Sequence, residues 1–178
     1  MRIIAVDAGH GGWDNGASYE GRLEKNDNLR LALEVEKALK SQGFSVVMTR
    51  SEDVFIPLEE RSKIANEAGA DLFISLHRNS YEEQTPSANG VENYIYLTAP
   101  KDTTERAAWN VLDWVVYVGV QTNRGVKRGD YSVLRRTTMP AMLLEVGYII
   151  NHCDNIMFDM HLQAYSNAIA RGVKQYFS

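Results

Sequence analysis

Three side chains that could do chemistry stand directly behind apolar stretches of this sequence. They are His10, His77 and Glu145. An ionised carboxylate is costly to bury without a partner, so Glu145 is the least ordinary of the three. Two imidazoles together with carboxylates are ligands that zinc prefers in catalytic sites, where three protein groups leave a fourth position for water. Each histidine taken alone is more often a hydrogen-bonded side chain than a metal ligand.

Glycines surround the first histidine, in the segment Asp7-Ala8-Gly9-His10-Gly11-Gly12-Trp13. A buried strand that ends in glycines presents an imidazole that no bulky neighbour crowds. The segment does not fit the two common phosphate-binding patterns. The dinucleotide fingerprint requires a third glycine where Asp14 stands, and no lysine follows Gly16 as a P-loop would require. A plain tight turn with an incidental histidine is the remaining alternative.

The elements that position these residues alternate along the chain. Apolar runs predict strands at 2–6, 44–48, 71–76, 91–97, 131–134 and 141–144, and helical spacing predicts helices at 24–42, 57–68, 103–120 and 161–176. The stretches 7–22, 78–90 and 122–131 are predicted as loops. This order predicts an α/β fold in a single domain, 1–178, with a mostly parallel twisted sheet of about six strands and helices on both faces.

A parallel sheet would bring the candidate residues together. The carboxyl ends of parallel strands lie on one rim, where open α/β sheets bind their ligands. We therefore expect His10, His77 and Glu145 to converge there. Glu24 should join them, because a helix that crosses back over the sheet begins at the same rim. The alternative for Glu24 is a first-turn acid favoured by the helix dipole.

Composition excludes several classes of function. The chain has 178 residues, 44% of them hydrophobic, and a net charge of -4. Its lysines and arginines are scattered rather than grouped in a basic stripe, so we expect no nucleic-acid partner. No apolar run has membrane-spanning length, and we expect no membrane partner. Cys153 is the only cysteine, which excludes an intramolecular disulfide. We expect a monomer.

Motifs across nearly the whole chain carry a resemblance to a known family. The chain resembles the zinc-dependent N-acetylmuramoyl-L-alanine amidases of the amidase_3 type. The segments that carry this resemblance are Asp7-Ala8-Gly9-His10-Gly11-Gly12, Glu24-Lys25-Asn26, Thr49-Arg50, Leu58 with Arg61, Phe73-Ile74-Ser75-Leu76-His77-Arg78-Asn79, Gly90-Val91-Glu92 and Met139 to Asn151. Arg78 stands where a small residue is usual in the family, which puts the local shape of the cleft in question.

The resemblance implies a site and a reaction. It implies that His10, Glu24 and His77 are zinc ligands and that Glu145 is the catalytic carboxylate. The implied substrate is bacterial peptidoglycan, cut at the amide between the lactyl group of N-acetylmuramic acid and the L-alanine of the stem peptide. Zinc would activate a water and polarise the carbonyl. Glu145 would take the proton of the water and return it to the departing nitrogen.

Two rival functions stay open at this point. One is a different zinc hydrolase of the same polymer, a carboxypeptidase or endopeptidase. The other is a non-catalytic module that binds the cell wall. No signal peptide precedes the first strand. This start fits either a phage endolysin that waits in the cytoplasm for holin release or a trimmed secreted autolysin.

Two features near the predicted site have less specific interpretations. Arg124, Lys127 and Arg128 could meet the carboxylates of stem peptides, or could belong to a solvated loop. Trp13 could stack on a sugar or could cover the base of the glycine-rich loop, and we favour the second interpretation.

Overall fold

The computed structural model of the chain describes residues 1–81, 87–119 and 122–178. Its strands are β1 (Ile3–Ala8), β2 (Ser18–Tyr19), β3 (Arg22–Leu23), β4 (Ser45–Met48), β5 (Leu72–Asn79), β6 (Val91–Ile95), β7 (Asn123–Arg128) and β8 (Ala141–Tyr148). Its helices are α1 (Glu24–Ser41), α2 (Leu58–Glu67), α3 (Arg106–Val116), α4 (Ser132–Arg135) and α5 (His152–Phe177), and a π-helical turn, Lys101–Glu105, leads into α3.

Six of the strands form one mostly parallel sheet in the order β4-β1-β5-β8-β6-β7. The first four are parallel to one another, β6 is antiparallel to β8, and β7 is parallel to β6. The central strands are continuous apolar runs because both faces of a parallel sheet are covered. Strands β2 and β3 form a separate two-stranded sheet. The predicted α/β class and strand number are confirmed.

Helices cover both faces of the large sheet, as predicted. The larger core lies on the face of α1, α3 and α5, where Leu31, Val111 and Ile169 pack against the even-numbered residues of β1 and β5. The smaller core lies on the opposite face, where Ala65 of α2 and Val133 of α4 pack against the sheet. None of the helices in the described residues combines the length and apolarity needed to cross a lipid bilayer.

Two predicted elements near the end of the chain are wrong. Residues 122–131, predicted as a loop, contain β7, although Val126 is the only apolar side chain in that strand. The strand forms because β6 offers it an open backbone edge, and β7 pairs with β6 along its length. Residues 131–134, predicted as a strand, form most of the short helix α4. An apolar run of four residues does not distinguish a strand from a helical turn.

Other differences concern element boundaries. The predicted loop 7–22 contains β2 and the start of β3, and α5 begins at His152 rather than at His161, where it has a kink. Strands β5 and β8 continue past their predicted ends, so His77 and Glu145 lie within strands and not behind them. Residues 82–86 of the predicted loop 78–90, and Val120 of the predicted helix 103–120, lie outside the described residues.

Candidate metal centre

Three of the predicted site residues converge at the edge of the sheet. His10, Glu24 and His77 each offer a ligand atom, and these atoms lie within 4.8 Å of one another. The Nε2 atom of His10 is 3.2 Å from Oε2 of Glu24, and the Nδ1 atom of His77 is 2.9 Å from Oε1 of the same carboxylate. Two imidazole nitrogens therefore face the two oxygens of one buried glutamate.

The loop behind β1 holds His10 in a fixed orientation. His10 has a φ of 60°, which is rare for a residue with a side chain. Its Nδ1 atom lies 2.9 Å from Oδ2 of Asp14, four residues further on. A carboxylate on one ring nitrogen fixes the tautomer and directs the other nitrogen to the metal, as in many zinc sites. Asp14 therefore fits the role of a carboxylate that orients His10.

Two glycines make room for the cluster. A Cβ atom at Gly9 would lie 2.2 Å from Cε1 of His77. A Cβ atom at Gly16 would lie 2.5 Å from Cδ2 of His10 and 2.6 Å from Oε2 of Glu24. Because any side chain at these positions would collide with the candidate ligands, the glycine-rich segment is needed for the close approach of the three groups.

A buried ion pair supports the same loop from beneath. Nη1 of Arg61 lies 2.8 Å from Oδ1 of Asp7, which also accepts a hydrogen bond from the Thr49 hydroxyl group, and Oδ2 of Asp7 accepts one from the Ser75 hydroxyl group. Nη2 of Arg61 donates to the carbonyl oxygen of His10 at 2.7 Å. Burial acts to raise the pKa of Asp7, but the charge of Arg61 and these hydrogen bonds outweigh burial and lower it. Asp7 therefore stays ionised and anchors the loop.

The candidate ligand cluster stabilises positive charge. Burial acts to lower the pKa of His10, but the hydrogen bond and charge of Glu24, with a contribution from Asp14, raise it to about 9. Burial acts to raise the pKa of Glu24, but hydrogen bonds from His10 and His77 hold it well below its usual range. The carboxylate of Glu24 thus keeps its charge and favours a cation beside it, either a protonated imidazole or a metal ion.

Glu145 lies beside the ligand cluster with one oxygen unpaired. It pairs in register with His77 across β5 and β8, and it lines the same cleft, which has a volume of about 580 Å³. Its Oε2 atom is buried and has no hydrogen-bond partner among the described residues. Burial raises the pKa of Glu145 well above its usual value, and repulsion from Glu24 and Glu92 raises it further. A carboxyl group in such surroundings is suited to hold a proton.

The next glutamate along the sheet has many partners. Glu92 is the register partner of Glu145 across β6 and β8. It accepts hydrogen bonds from Asn79, from Lys127 and from Nε of Arg124, the last at 3.2 Å. Arg128 is paired with Glu105 instead, at 2.7 Å. The three cations of the predicted loop are therefore strand residues with partners within the chain.

Arg78 is one of the residues that line the cleft, and its guanidinium is enclosed between α1 and α5. Its Nη1 atom lies 2.6 Å from Oδ2 of Asp27, its Nη2 atom donates to Asn155 at 2.6 Å, and its guanidinium lies 4.3 Å from the centre of the Phe158 ring. Its backbone N–H donates to Oε1 of Glu24 at 3.3 Å. The departure from the family pattern thus places a buried, paired guanidinium next to the helix that carries Glu24.

Trp13 lies at the surface beside the cleft, with its ring against Phe55. The residue is 77% exposed. Its ring lies 4.2 Å from the ring of Phe55, centre to centre, at an angle of 32°. Both residues line the cleft that contains the candidate ligands.

Sequence reasoning missed three residues that shape the site. Asp14 could have been suspected from its position four residues after His10, and Asp7 from its place directly behind an apolar run, like Glu145. The partners of Glu92 come from β5 and β7, far away in the sequence, and no local pattern predicts them.

A mostly parallel sheet that presents two imidazoles, a shared carboxylate and a second, unpaired carboxylate at one edge defines a metallohydrolase type of site. Comparison with known proteins identifies the family within this class. Residues 4–175 match the Amidase_3 family, described as N-acetylmuramoyl-L-alanine amidase. The chain belongs to this family, and the resemblance seen in the sequence is confirmed.

Individual relatives agree with the family match. The chain is 40% identical over 182 residues to the probable cell wall amidase LytH of Staphylococcus epidermidis, covering 99% of the chain and 59% of that protein. The chain thus spans about three-fifths of the length of the curated relatives it matches.

Two solved structures share the fold over almost their full length. The catalytic domain of the amidase CwlV from Bacillus (Paenibacillus) polymyxa var. colistinus is 36% identical, with a TM-score of 0.91 over 99% of this chain and 98% of that one. The amidase AmiC2 of Nostoc punctiforme is 33% identical, with a TM-score of 0.91 over 99% and 97% of the two chains.

Proposed function

We propose that residues 1–178 form a zinc-dependent catalytic domain that cuts bacterial peptidoglycan. The bond cut is the amide between the lactyl group of N-acetylmuramic acid and the L-alanine of the stem peptide. The observation that carries the proposal is the convergence of His10, Glu24 and His77 beside Glu145, whose Oε2 atom has no partner among the described residues. Family membership supplies the substrate class.

The donor set fits zinc. Two imidazole nitrogens and one carboxylate are a ligand combination of catalytic zinc sites, and three protein ligands leave a position for water or substrate. A bound zinc ion lowers the pKa of its water to about 7 and polarises a carbonyl group. His10 and His77 must bind as neutral imidazoles, and Asp14 accepts the remaining N–H of His10.

Glu145 moves the proton in the proposed reaction. Its Oε2 atom accepts a proton from the attacking water, whose oxygen becomes part of the new lactyl carboxylate. The same proton then passes to the alanine nitrogen as the C–N bond breaks, so that an amine leaves. Burial and two neighbouring carboxylates raise the pKa of Glu145. Because its surroundings disfavour the ionised form, Glu145 holds a proton more readily than an ordinary carboxyl group, as a residue that acts as base and then as acid requires.

The site is complete within one chain, and we propose that the protein acts as a monomer on the cell wall. All four groups come from the loop behind β1, from α1, from β5 and from β8. The relatives named as probable cell wall amidases support this place of action. The proposed reaction has no role for a nucleic-acid or membrane partner.

Analysis of a peptidoglycan digest tests the proposed function. Zinc-loaded protein should release products with a new amino terminus on L-alanine, which mass spectrometry of labelled amino termini detects. The Glu145→Gln variant, loaded with the same zinc, is the matched control and should release almost none. A new terminus elsewhere in the peptide would identify an endopeptidase or carboxypeptidase and refute the proposal. Wall binding without any cleavage would identify a binding module.

A further inference from the structure

The side chains along the edge of the sheet differ chemically from one side of the ligand cluster to the other. At the β4 end lie Trp13 and Phe55, which we call the aromatic lip. The ligand cluster follows at β1 and β5, and Glu145 lies on β8. Arg124 and Lys127, which we call the cationic corner, lie outside the cleft, on β7 beyond β6. Neighbouring strands are about 4.8 Å apart, so the two ends are separated by several strand widths.

The aromatic lip is exposed but held in place. The indole of Trp13 rests with one side on Phe55, and the residue is 77% exposed. Its neighbour Gly12 is fixed on two sides, since its N–H donates to Oδ1 of Asp53 at 2.8 Å and its carbonyl accepts from Nζ of Lys25 at 2.7 Å. A fixed aromatic face loses little conformational entropy when a ligand stacks on it.

One tight turn connects the aromatic lip to the candidate metal ligand. Gly11 and Asp14 exchange backbone hydrogen bonds of 2.9 and 3.1 Å, with Trp13 at the tip of the turn. The carboxylate of Asp14 in the same turn holds the imidazole of His10. The indole and the ligand nitrogen therefore have a defined relative position, as a binding subsite beside a reaction centre requires.

The position of Glu145 sets the direction of the substrate. In the proposed reaction Glu145 returns a proton to the departing nitrogen of L-alanine, so this nitrogen must lie on the β8 side of the ligand cluster. The acyl half of the substrate, which is the lactyl group and its sugar, then extends the opposite way along the edge. That direction leads to the aromatic lip.

The charges at the aromatic lip and at the cationic corner agree with this orientation of the substrate. Near the aromatic lip, Lys25 is paired with Asp53 at 2.9 Å and His10 with Asp14 at 2.9 Å, so this end has no excess positive charge to hold the acidic groups of a stem peptide. A pyranose ring has an apolar face that can lie on an indole. At the other end, Arg124 and Lys127 share one carboxylate, Glu92, so the cationic corner keeps an excess of one positive charge.

We propose that Trp13 forms a sugar subsite that stacks on the N-acetylmuramic acid ring, while the stem peptide leaves the cleft toward the cationic corner. The inference rests on the proposed function for the identity of the substrate. The direct observations behind it are the exposed indole, its fixed turn and the order of side chains along the sheet edge.

Titration of the zinc-loaded protein with two half-substrates tests the subsite. One probe is the peptide-free disaccharide of N-acetylglucosamine and N-acetylmuramic acid, and the other is a sugar-free stem peptide that begins with L-alanine. The disaccharide should shift the NMR signal of the Trp13 indole N–H, with Trp109 and Trp114 as internal references. The stem peptide should leave that signal in place. A shift caused by the peptide alone would overturn the proposed direction.

Kinetics with a sugar-containing muropeptide separates binding from chemistry. Trp13→Ala should raise KM about tenfold, with a smaller change in kcat, because one stacking contact is lost. Trp13→Phe should recover most of this loss. Tyr117→Ala, which removes an aromatic residue that is 89% exposed outside the cleft, is the matched control and should not change KM. An unchanged KM in Trp13→Ala would refute the subsite.

The two proposals can fail separately. Protein that binds the disaccharide at Trp13 but releases no amino terminus of L-alanine would refute the proposed reaction and retain the subsite. Protein that cuts the amide without any response of Trp13 to the disaccharide would refute the subsite and retain the reaction.

Discussion

Glu92 and Glu145 occupy adjacent positions on neighbouring strands but have opposite surroundings. Glu92 is paired with Lys127 and Arg124 and accepts a hydrogen bond from the hydroxyl group of Tyr94 at 3.1 Å. Burial acts to raise its pKa, but Lys127 and the other donors lower it. Glu145 has a buried oxygen without a partner among the described residues, and its pKa is raised.

The difference shows that two glutamates on neighbouring strands of one sheet can have different roles. The two glutamates are register partners, so strand geometry does not distinguish them. Their partners do, because a fully paired carboxylate is fixed as an anion, whereas an unpaired one is ready to take a proton. We therefore expect Glu92 to contribute mainly to stability and Glu145 mainly to catalysis.

The largest expected effect is the loss of activity in Glu145→Gln. The amide has nearly the shape of the carboxyl group but does not accept and return a proton, so kcat should fall by about 10³-fold or more. Zinc content and the free energy of unfolding should stay close to those of the parent protein, since no partner is lost. A variant that kept a tenth of the parent kcat would remove the catalytic assignment.

A smaller effect is expected when the partner of a candidate zinc ligand is removed. Asp14→Ala should weaken zinc binding by about 10- to 100-fold, because the imidazole of His10 loses the carboxylate that orients it. Competition with a chromophoric chelator measures the affinity. Asp53→Ala is the matched control, since Asp53 holds Gly12 of the same loop without touching His10. Equal losses in both variants would show that loop order alone matters.

The variant Glu92→Gln tests whether Glu92 contributes mainly to stability. The change leaves Lys127 and Arg124 without their shared anion and should lower the free energy of unfolding by about 1 to 2 kcal/mol. Urea denaturation of the metal-free protein measures this loss. The kcat should fall far less than in Glu145→Gln. A loss of kcat as large as that of Glu145→Gln, in folded protein, would break the distinction between the two glutamates.

The smallest expected effect is the release of a proton from His10 when zinc binds. Its raised pKa in the metal-free protein, about 9, means that zinc must displace a proton at neutral pH. Calorimetry in buffers of different ionisation enthalpy should therefore show release of about one proton per zinc at pH 7.5.

Zinc occupancy and activity should fall together as the pH is lowered below about 6. Full zinc occupancy at pH 5 would contradict the assignment of neutral ligands.

The same pKa fixes the sign of a stability change. A group whose pKa is higher in the folded state stabilises the protein fully below its unfolded value, here 6.5, and loses that contribution as the pH rises through about 9. Thermal unfolding of metal-free protein should therefore show a lower melting temperature at pH 9 than at pH 6.5, and a variant without the His10 imidazole should lose this part of the difference. Loaded zinc should reduce this difference.

Much of the fold and of the site could be predicted because the signals are local. The apolar runs before His10, His77 and Glu145 identify buried parallel strands, and parallel strands bring their ends to one rim. Glu24 follows from the helix that must begin at that rim. The assignment of these residues to zinc came from the resemblance to the family, since spacing alone leaves other roles open.

The rest could not be predicted because it depends on partners that are distant in the sequence. Strand β7 has one apolar side chain and forms through backbone pairing with β6. The pairing of Asp7 with Arg61, and of Glu92 with Lys127, joins residues from separate elements. The ring contact between Trp13 and Phe55 joins residues from separate loops, and no periodicity indicates it.

The most direct test of the account is an anomalous difference map at the zinc absorption edge from crystals of the zinc-loaded protein. We expect one strong peak within coordination distance of Nε2 of His10, the Glu24 carboxylate and Nδ1 of His77, with Glu145 beside it and not bound to it. A peak elsewhere, or zinc ligated by Glu145 in place of Glu24, would contradict the account.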